Sequence, residues 1–363
     1  MGKRLKRNKV FIGPFNTAGF SGTLTKALKS VGVNADFVSW KNSDHPFNYG
    51  VDKEMWLFDH NPSFKIMGKN QNYWFNQVLI VAQFIKMTFI YNTFIFIKPV
   101  TFFRNNKDLY FLRLFRKKII FIFAGCNDRN PDFIPEDQEY ICHNCCDKVK
   151  QVDNWCDRLD EKKKRVQWFE KFANKILAFD DNASYLKDKG KQLWISAAVA
   201  PPPENNYMDK YKQDKIVICH LPSNPLIKQT HIIEPILRRI EKEENVEIII
   251  KKNIWSRKKM MDTLERSHIN IDALGGMIFG TIVLEGLCRG TVGLASYPDW
   301  ISKHYNVDPV VGITKDNLYE ILKELIRKRA LLERYARRSL KAYNKYFTYE
   351  AVGTYYKEKL ELK

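Results

Sequence analysis

Two short stretches combine residue types that could hold a phosphorylated ligand. The first is GGMIFGTIVLEGLCRG, residues 275–290. Gly275, Gly276 and Gly280 let a backbone approach a ligand closely. A helix is expected over Thr281–Arg289, and the unpaired N–H groups of Thr281 and Ile282 at its start, with the helix dipole, suit an anion. Glu285 lies four residues after Thr281, so the two share a helix face. A carboxylate repels phosphate, but it accepts hydrogen bonds from sugar hydroxyls beside one. The plainer reading makes Glu285 a solvated helix residue and the glycines simple turns. The residues alone leave both open.

The second stretch is HLPSNPLIKQTHIIEPILRR, residues 220–239. The strand IVICH ends at His220, a polar turn follows, and Lys228 precedes a helix. A lysine at the top of a parallel sheet is a cation for a diphosphate, and Ser223 and Asn224 can add hydrogen bonds. Against this, most lysines are simply surface residues.

The elements that must position these groups alternate strand and helix. KVFIGPF, a glycine turn at Gly19, a helix over Ser21–Ser30 and the strand NADFVSW form one strand–helix–strand unit. A helix over Tyr73–Ile90, the strand FIFI, a helix at DLYFLRLF and the strand KKIIFIFAG continue it, and a charged helical region (157–177) precedes the strand KILAFDD. AVAPPPENNYMDKYKQ reads as a linker, because Pro201–Pro203 stop any element. A second series then runs through DKIVICHLPS, a helix over Thr230–Glu244, VEIIIKK, a helix over Ser256–Arg266, INIDAL, the glycine-rich stretch, VGLASY and VVGI, with helices to the end. The expected fold class is α/β, two Rossmann-like doubly wound domains facing a cleft. The expected boundaries are an N-terminal domain over 1–195, a second over 196–345, and a terminal helix over 346–363 that packs back on the first.

Residues 214–345 resemble the donor-binding half of a GT-B glycosyltransferase of the retaining family 4 kind. HLPSN with Lys228 is similar to that family's His-x-Pro-Ser turn and downstream lysine. INIDALGGMIFGTIVLEGLCRG is similar to its strand with an aspartate, glycine–aromatic–glycine loop and glutamate-bearing helix, at Asp272, Phe279, Gly280, Glu285 and Gly290. The likeness is close over about a third of the chain and looser in the first half, at NTAGFSGTLTKALKSVGVNADFV and KKIIFIFAGCNDR. It implies a nucleotide-sugar donor, transfer with retention to a glycan or lipid-linked saccharide, and no required metal. It implies that Lys228 neutralises the diphosphate, that Glu285 holds the ribose, and that backbone at Gly280, Thr281 and Ile282 meets phosphate. Ser223 and Asn224 would add contacts, and Gly19 would lie across the cleft. Pro225 stands where many members carry arginine, and Met277 where many carry a first glutamate. Asp128 and Arg129 remain as polar candidates in the first half, and no catalytic residue is assigned.

Other features bound the partners. The chain has 363 residues, 45% hydrophobic and 28% charged, with a formal net charge of +19, which points to an acidic partner. The basic residues are scattered and no nucleic-acid-binding module is recognisable, so a nucleic-acid partner is not expected. Cys142, Cys145, Cys146 and Cys156 could hold a structural zinc, or could be free thiols of a loop. TFFRNNKDLYFLRLFRKK mixes apolar and basic residues and could touch an anionic membrane, or pack a core with a solvated edge. The apolar residues 77–97 carry Gln83, Lys86 and Asn92, so a buried helix running into a strand is expected there rather than a membrane span. VFIGPF is too short for a signal core, so the expected location is the cytoplasm, with a peripheral place on the inner face of the membrane. A nucleotide-sugar epimerase and a non-catalytic binding protein of the same fold are the rival functions.

Overall fold

A computed structural model describes residues 8–15, 19–40, 51–55, 65–66, 69–97, 100–103, 105–125, 128–130, 159–202, 207–252, 255–274 and 279–363. These fall into two compact units. One holds the described residues up to 130, those from 159 to 198, and the segment from Tyr349 onward. The other holds the described residues from 199 to 348.

The first unit is built on seven strands: β1 (Val10–Gly13), β2 (Ala35–Trp40), β3 (Lys53–Met55), β6 (Thr93–Ile97), β7 (Lys118–Phe123), β8 (Lys175–Ala178) and β9 (Gln192–Leu193). A separate antiparallel pair, β4 (Lys65–Ile66) and β5 (Lys69–Asn70), precedes the long helix. The sheet order is β3-β2-β1-β6-β7-β8-β9, all parallel, with Val10 facing Ala35 on one side and Thr93 on the other. Continuous apolar runs such as TFIFI and KIIFIF follow from a sheet covered on both faces. On one face Phe11, Phe94, Phe96, Phe121 and Phe123 form an aromatic layer, with Phe96 and Phe121 centroids 5.6 Å apart. On the other, Val10, Ile12, Ile95 and Ile97 receive helix α1 (Phe20–Ser30) through Leu24, Ala27 and Leu28. The two-residue alternation along each strand divides the faces.

The helices on the aromatic face are α2 (Gln71–Ile90), α3 (Asp108–Leu114) and α4 (Leu159–Glu170). The charged segment expected to be helical over 157–177 stops at Glu170, because the chain must turn before β8, and the Asn174 side chain ties that turn to β7 by accepting from the Ile119 amide at 2.8 Å. The expectation of a buried helix at 77–90 is corrected. Helix α2 is apolar on most sides but buries only Asn76, Phe84, Met87 and Thr88 among its described side chains, while Val78, Val81, Ile85 and Phe89 are exposed. Among the described residues no helix is long and apolar enough to cross a membrane.

The second unit has five parallel strands: β10 (Ile216–His220), β11 (Val246–Ile250), β12 (Ile269–Ile271), β13 (Val292–Ala295) and β14 (Val311–Gly312), in the order β11-β10-β12-β13-β14. In the first unit the short helix α5 (Asp180–Ala183) lies between β8 and β9. The second unit's helices are α6 (Thr230–Glu243), α7 (Arg257–Arg266), α8 (Thr281–Leu287), α9 (Asp299–Ser302), α10 (Leu318–Arg327) and α11 (Arg329–Tyr346). The chain winds from β10 outward to β11, then returns to the opposite side of β10 for β12. The direction of winding therefore reverses between β10 and β12, where open α/β sheets present their ligand crevice. In the first unit the same reversal falls between β1 and β6.

The end of the proline-rich linker is structural. A 3-10 turn at Asp209–Lys212 inserts Lys210, whose ammonium donates to the carbonyls of Glu265, Ser267 and Arg289 and to the Thr291 hydroxyl at 2.6–3.2 Å. The last helix, α12 (Tyr349–Lys359), packs on α1 within the first unit. A Cβ at Gly353 would sit 2.0 Å from the Ala27 carbonyl oxygen, so only glycine permits this approach.

Candidate functional site

The carboxyl end of β10 is fixed by His220. Its ring is fully buried, with Nδ1 2.9 Å from the Ile271 carbonyl oxygen and Nε2 2.9 Å from the Thr230 hydroxyl. A carbonyl only accepts, so Nδ1 carries the proton and Nε2 accepts from Thr230. Burial lowers the imidazole's proton affinity below its usual value. His220 thus ties β10 to β12 and to the start of α6, and both of its nitrogens are used in doing so.

Between His220 and α6 the chain makes a compact turn. Asn224 Oδ1 accepts from the amides of Leu226 and Ile227 at 3.0 and 3.3 Å, and the Asn224 carbonyl accepts from the Lys228 amide. Lys251, at the end of β11, donates to the Pro222 carbonyl and holds the turn from beneath. Gln229, the N-cap of α6, adopts a left-handed conformation (φ 52°) directly after Lys228.

Lys228 Nζ lies 2.5 Å from Asp272 Oδ1. Asp272 follows β12, so the pair bridges the two strands flanking the reversal point. The other carboxylate oxygen, Oδ2, accepts from the Gly280 amide at 2.6 Å. The Asp272 side chain is 2% exposed and that of Lys228 is 17% exposed. A Cβ on Gly280 would meet Lys228 Nζ at 3.0 Å and Asp272 Oδ2 at 3.1 Å, so glycine leaves room for the pair. An ammonium has three donors. One is spent on Asp272, and among the described residues no other partner takes the remaining two, which suits an anion arriving from solvent.

Gly280 caps α8 with extended backbone, and the amides of Thr281 and Ile282 occupy the first helical positions, which have no intrahelical acceptor. The Ile282 side chain packs against Cys219, Leu221 and Leu264. Glu285 is buried and its Oε1 accepts from Arg257 Nη2 at 2.6 Å. Arg257 begins α7, one residue after the N-cap Ser256, and its side chain is half-exposed. Sequence reasoning assigned no role to Arg257, because 28 residues separate it from Glu285.

The structure therefore brings together Lys228, Gly280 and, through Asp272, the two strands between them. Thr281, Ile282 and Glu285 lie on the helix that Gly280 opens. Ser223 is exposed in the turn before Lys228, and Asn224 spends its side-chain oxygen on that turn. Gly19 belongs to the first unit, where it caps α1 in the left-handed conformation (φ 79°) after β1, one of the two strands that flank that sheet's winding reversal. The polar candidates of the first unit are engaged with other side chains of that unit. Arg129 Nε donates to the buried Asp181 at 2.7 Å, and Asp128 is buried with Arg165 3.8 Å away. Gly275, Gly276, Met277 and the candidate zinc ligands Cys142, Cys145, Cys146 and Cys156 lie outside the described residues. Among the described residues no group of three or more histidines, cysteines or carboxylates could hold a metal ion.

Two doubly wound units in series, each with its winding reversal beside the central strand, define the GT-B class of fold. No protein-family model matches the chain, and no curated protein matches it in sequence. Solved structures do match. The HepE protein of Anabaena in complex with UDP and glucose aligns with a TM-score of 0.62 at 11% identity, over 98% of this chain and 99% of that one. The sucrose-phosphate synthase of Thermosynechococcus elongatus aligns with a TM-score of 0.60 at 12% identity, over 98% of both chains. A putative UDP-N-acetylglucosamine 2-epimerase of Listeria monocytogenes aligns at 0.51 and 10% identity, again over 98% of both. At such identities the likeness is one of fold.

Proposed function

We propose that this chain is a glycosyltransferase that moves a sugar from a nucleotide-sugar donor to a hydroxyl of a glycan or lipid-linked saccharide, with retention at the anomeric carbon. The observation that carries the reading is the Lys228–Asp272–Gly280 arrangement across the winding reversal of the second sheet. It sets a partly exposed ammonium beside an open helix start, where a departing diphosphate gathers negative charge. Stabilising that charge lowers the barrier without covalent chemistry or a metal. Glu285, one turn further on, accepts from the ribose hydroxyls, and Arg257 holds its carboxylate in place. HepE, which shares the fold, has been solved with UDP and with UDP-glucose, and this supports a uridine nucleotide as the donor's carrier. The family 4 resemblance supports retention and the saccharide acceptor.

The fold shared with UDP-N-acetylglucosamine 2-epimerases supports a second reading, in which the donor's sugar is epimerised. Incubation with a panel of nucleotide sugars, with and without saccharide acceptors, separates the two. A transferase releases nucleoside diphosphate and builds a glycosidic product only with an acceptor. Conversion of the sugar without acceptor overturns the transferase reading, and transfer that survives Lys228→Met overturns the role of Lys228.

A further inference from the structure

The first unit carries an exposed apolar face that its own core does not use. On α2, Val78, Val81, Ile85 and Phe89 are 67%, 45%, 49% and 78% exposed. Their spacing of three, four and four residues places them on a single stripe. On α3 and its end, Leu114 and Phe115 are 74% and 51% exposed, and the Phe115 ring lies 6.5 Å from that of Phe89. The two helices thus present one continuous apolar surface, larger than scattered exposed residues explain.

A basic cavity adjoins it. Arg116 follows Phe115 directly and, with Lys117, Lys118, Lys175 and Lys359, lines a hollow of about 410 Å³, in which Glu361 is the one carboxylate among the lining residues. Five cations against one anion leave a strong positive charge in one place. Lys117, Lys118 and Lys175 each donate to a main-chain carbonyl, of Tyr91 at 2.9 Å, Leu360 at 2.5 Å and Gly190 at 3.0 Å, which anchors the ammonium groups, and Lys118 also lies 3.8 Å from the Glu361 carboxylate. Arg116 adopts a left-handed conformation (φ 51°) at the end of α3, where glycine carries no steric cost. Exposed Arg113 and Lys86 add charge on the two helices.

We infer that this face docks on an anionic phospholipid bilayer, with the apolar stripe among the acyl chains and the basic cavity receiving phosphate headgroups. Charge complementarity selects the occupant. A protein groove would match the apolar stripe but leaves the concentrated cations unanswered, whereas an anionic bilayer offers apolar chains beneath a layer of phosphates. Helix α2 lies in the interface rather than through it, since Gln83 and the exposed Lys86 interrupt its apolar run. The inference does not depend on the proposed sugar transfer, because every residue it uses lies in the first unit.

The test is flotation of the full-length chain with vesicles of phosphatidylcholine alone or of phosphatidylcholine with phosphatidylglycerol, at physiological salt. Two double variants are compared, Phe89→Asp/Leu114→Asp and Arg116→Ala/Lys359→Ala, with circular dichroism to confirm folding. The wild type is expected to float with the anionic vesicles and not with phosphatidylcholine alone. Each basic residue at such a surface contributes roughly fivefold to partitioning, so the charge variant is expected to bind about twenty-five-fold less. The apolar variant is expected to lose binding to a similar or greater extent. The inference is overturned if the wild type ignores anionic vesicles or if both variants bind as it does. It is also overturned if the wild type is a dimer that the apolar variant converts to monomer, since a second copy then covers the face. The charge variant keeps the test decisive should the apolar one misfold.

Discussion

Replacing Lys228 by methionine probes the candidate site without reference to any substrate. Methionine keeps an unbranched stem of similar reach and removes the charge. Asp272, whose side chain is 2% exposed, then retains, among the described residues, the Gly280 amide as its one donor. Removing one partner of a fully buried ion pair costs about 3–5 kcal/mol, because the other charge is left uncompensated. Lys228 is 17% exposed, so water can enter beside Asp272, and we expect about 2–3 kcal/mol. Adding Asp272→Asn to Lys228→Met should recover most of that loss. The asparagine oxygen still accepts from Gly280, and no buried charge remains. Urea unfolding followed by tryptophan fluorescence measures all four members of this cycle, with Trp255 reporting from the second unit. The reasoning fails if Lys228→Met unfolds at the wild-type urea concentration, or if the second substitution adds to the loss instead of relieving it.

Three further changes have defined outcomes. Gly280→Ala fits the local backbone but crowds Lys228 Nζ at 3.0 Å, so stability should fall by less than about 1 kcal/mol while UDP binding weakens several-fold; unchanged calorimetric affinity would show that the pair is not near the ligand. Glu285→Gln should weaken UDP binding and leave pyrophosphate binding intact, because the carboxylate is assigned to the ribose; equal losses for both ligands would remove that assignment. Burial pushes the Lys210 ammonium down to about 7 from 10.5 in the unfolded chain. Between those values the unfolded chain holds a proton that the folded chain lacks, so this lysine's contribution to stability rises with pH, by about 2–3 kcal/mol from pH 7 to 9. Denaturant titrations of wild type and Lys210→Met should differ by that slope, and parallel profiles would contradict it. The buried His268, pushed down to about 4, acts in the acid range with the same sign: its contribution is lost as pH falls from 6.5 toward 4.

Strands such as TFIFI, KIIFIF and IVICH were legible because a strand covered on both faces must be apolar throughout, and helices bounded by Ser256 or Gly19 because their caps are local. Lys228 and Gly280 stood out by type and spacing. Their union through Asp272 was not legible, since it depends on β12 pairing with β10 across the sheet. Arg257 was missed for the same reason. Lys210 was hidden in a polar segment that reads as a tether, and only the fold shows three carbonyls converging on its ammonium. Helix α2 misled in the opposite sense. An apolar helix is ordinarily buried, and nothing in its periodicity distinguishes a core-facing stripe from one facing solvent.

The central claim is that Lys228 meets a nucleoside diphosphate. Isothermal calorimetry of UDP and the other nucleoside diphosphates against wild type and Lys228→Met tests it most directly. The account predicts saturable binding of at least one of them by the wild type, and a loss of about tenfold or more in the variant, as expected for a charge-assisted contact to phosphate. Equal affinity in the two proteins, or no binding of any nucleoside diphosphate by the wild type, would contradict it.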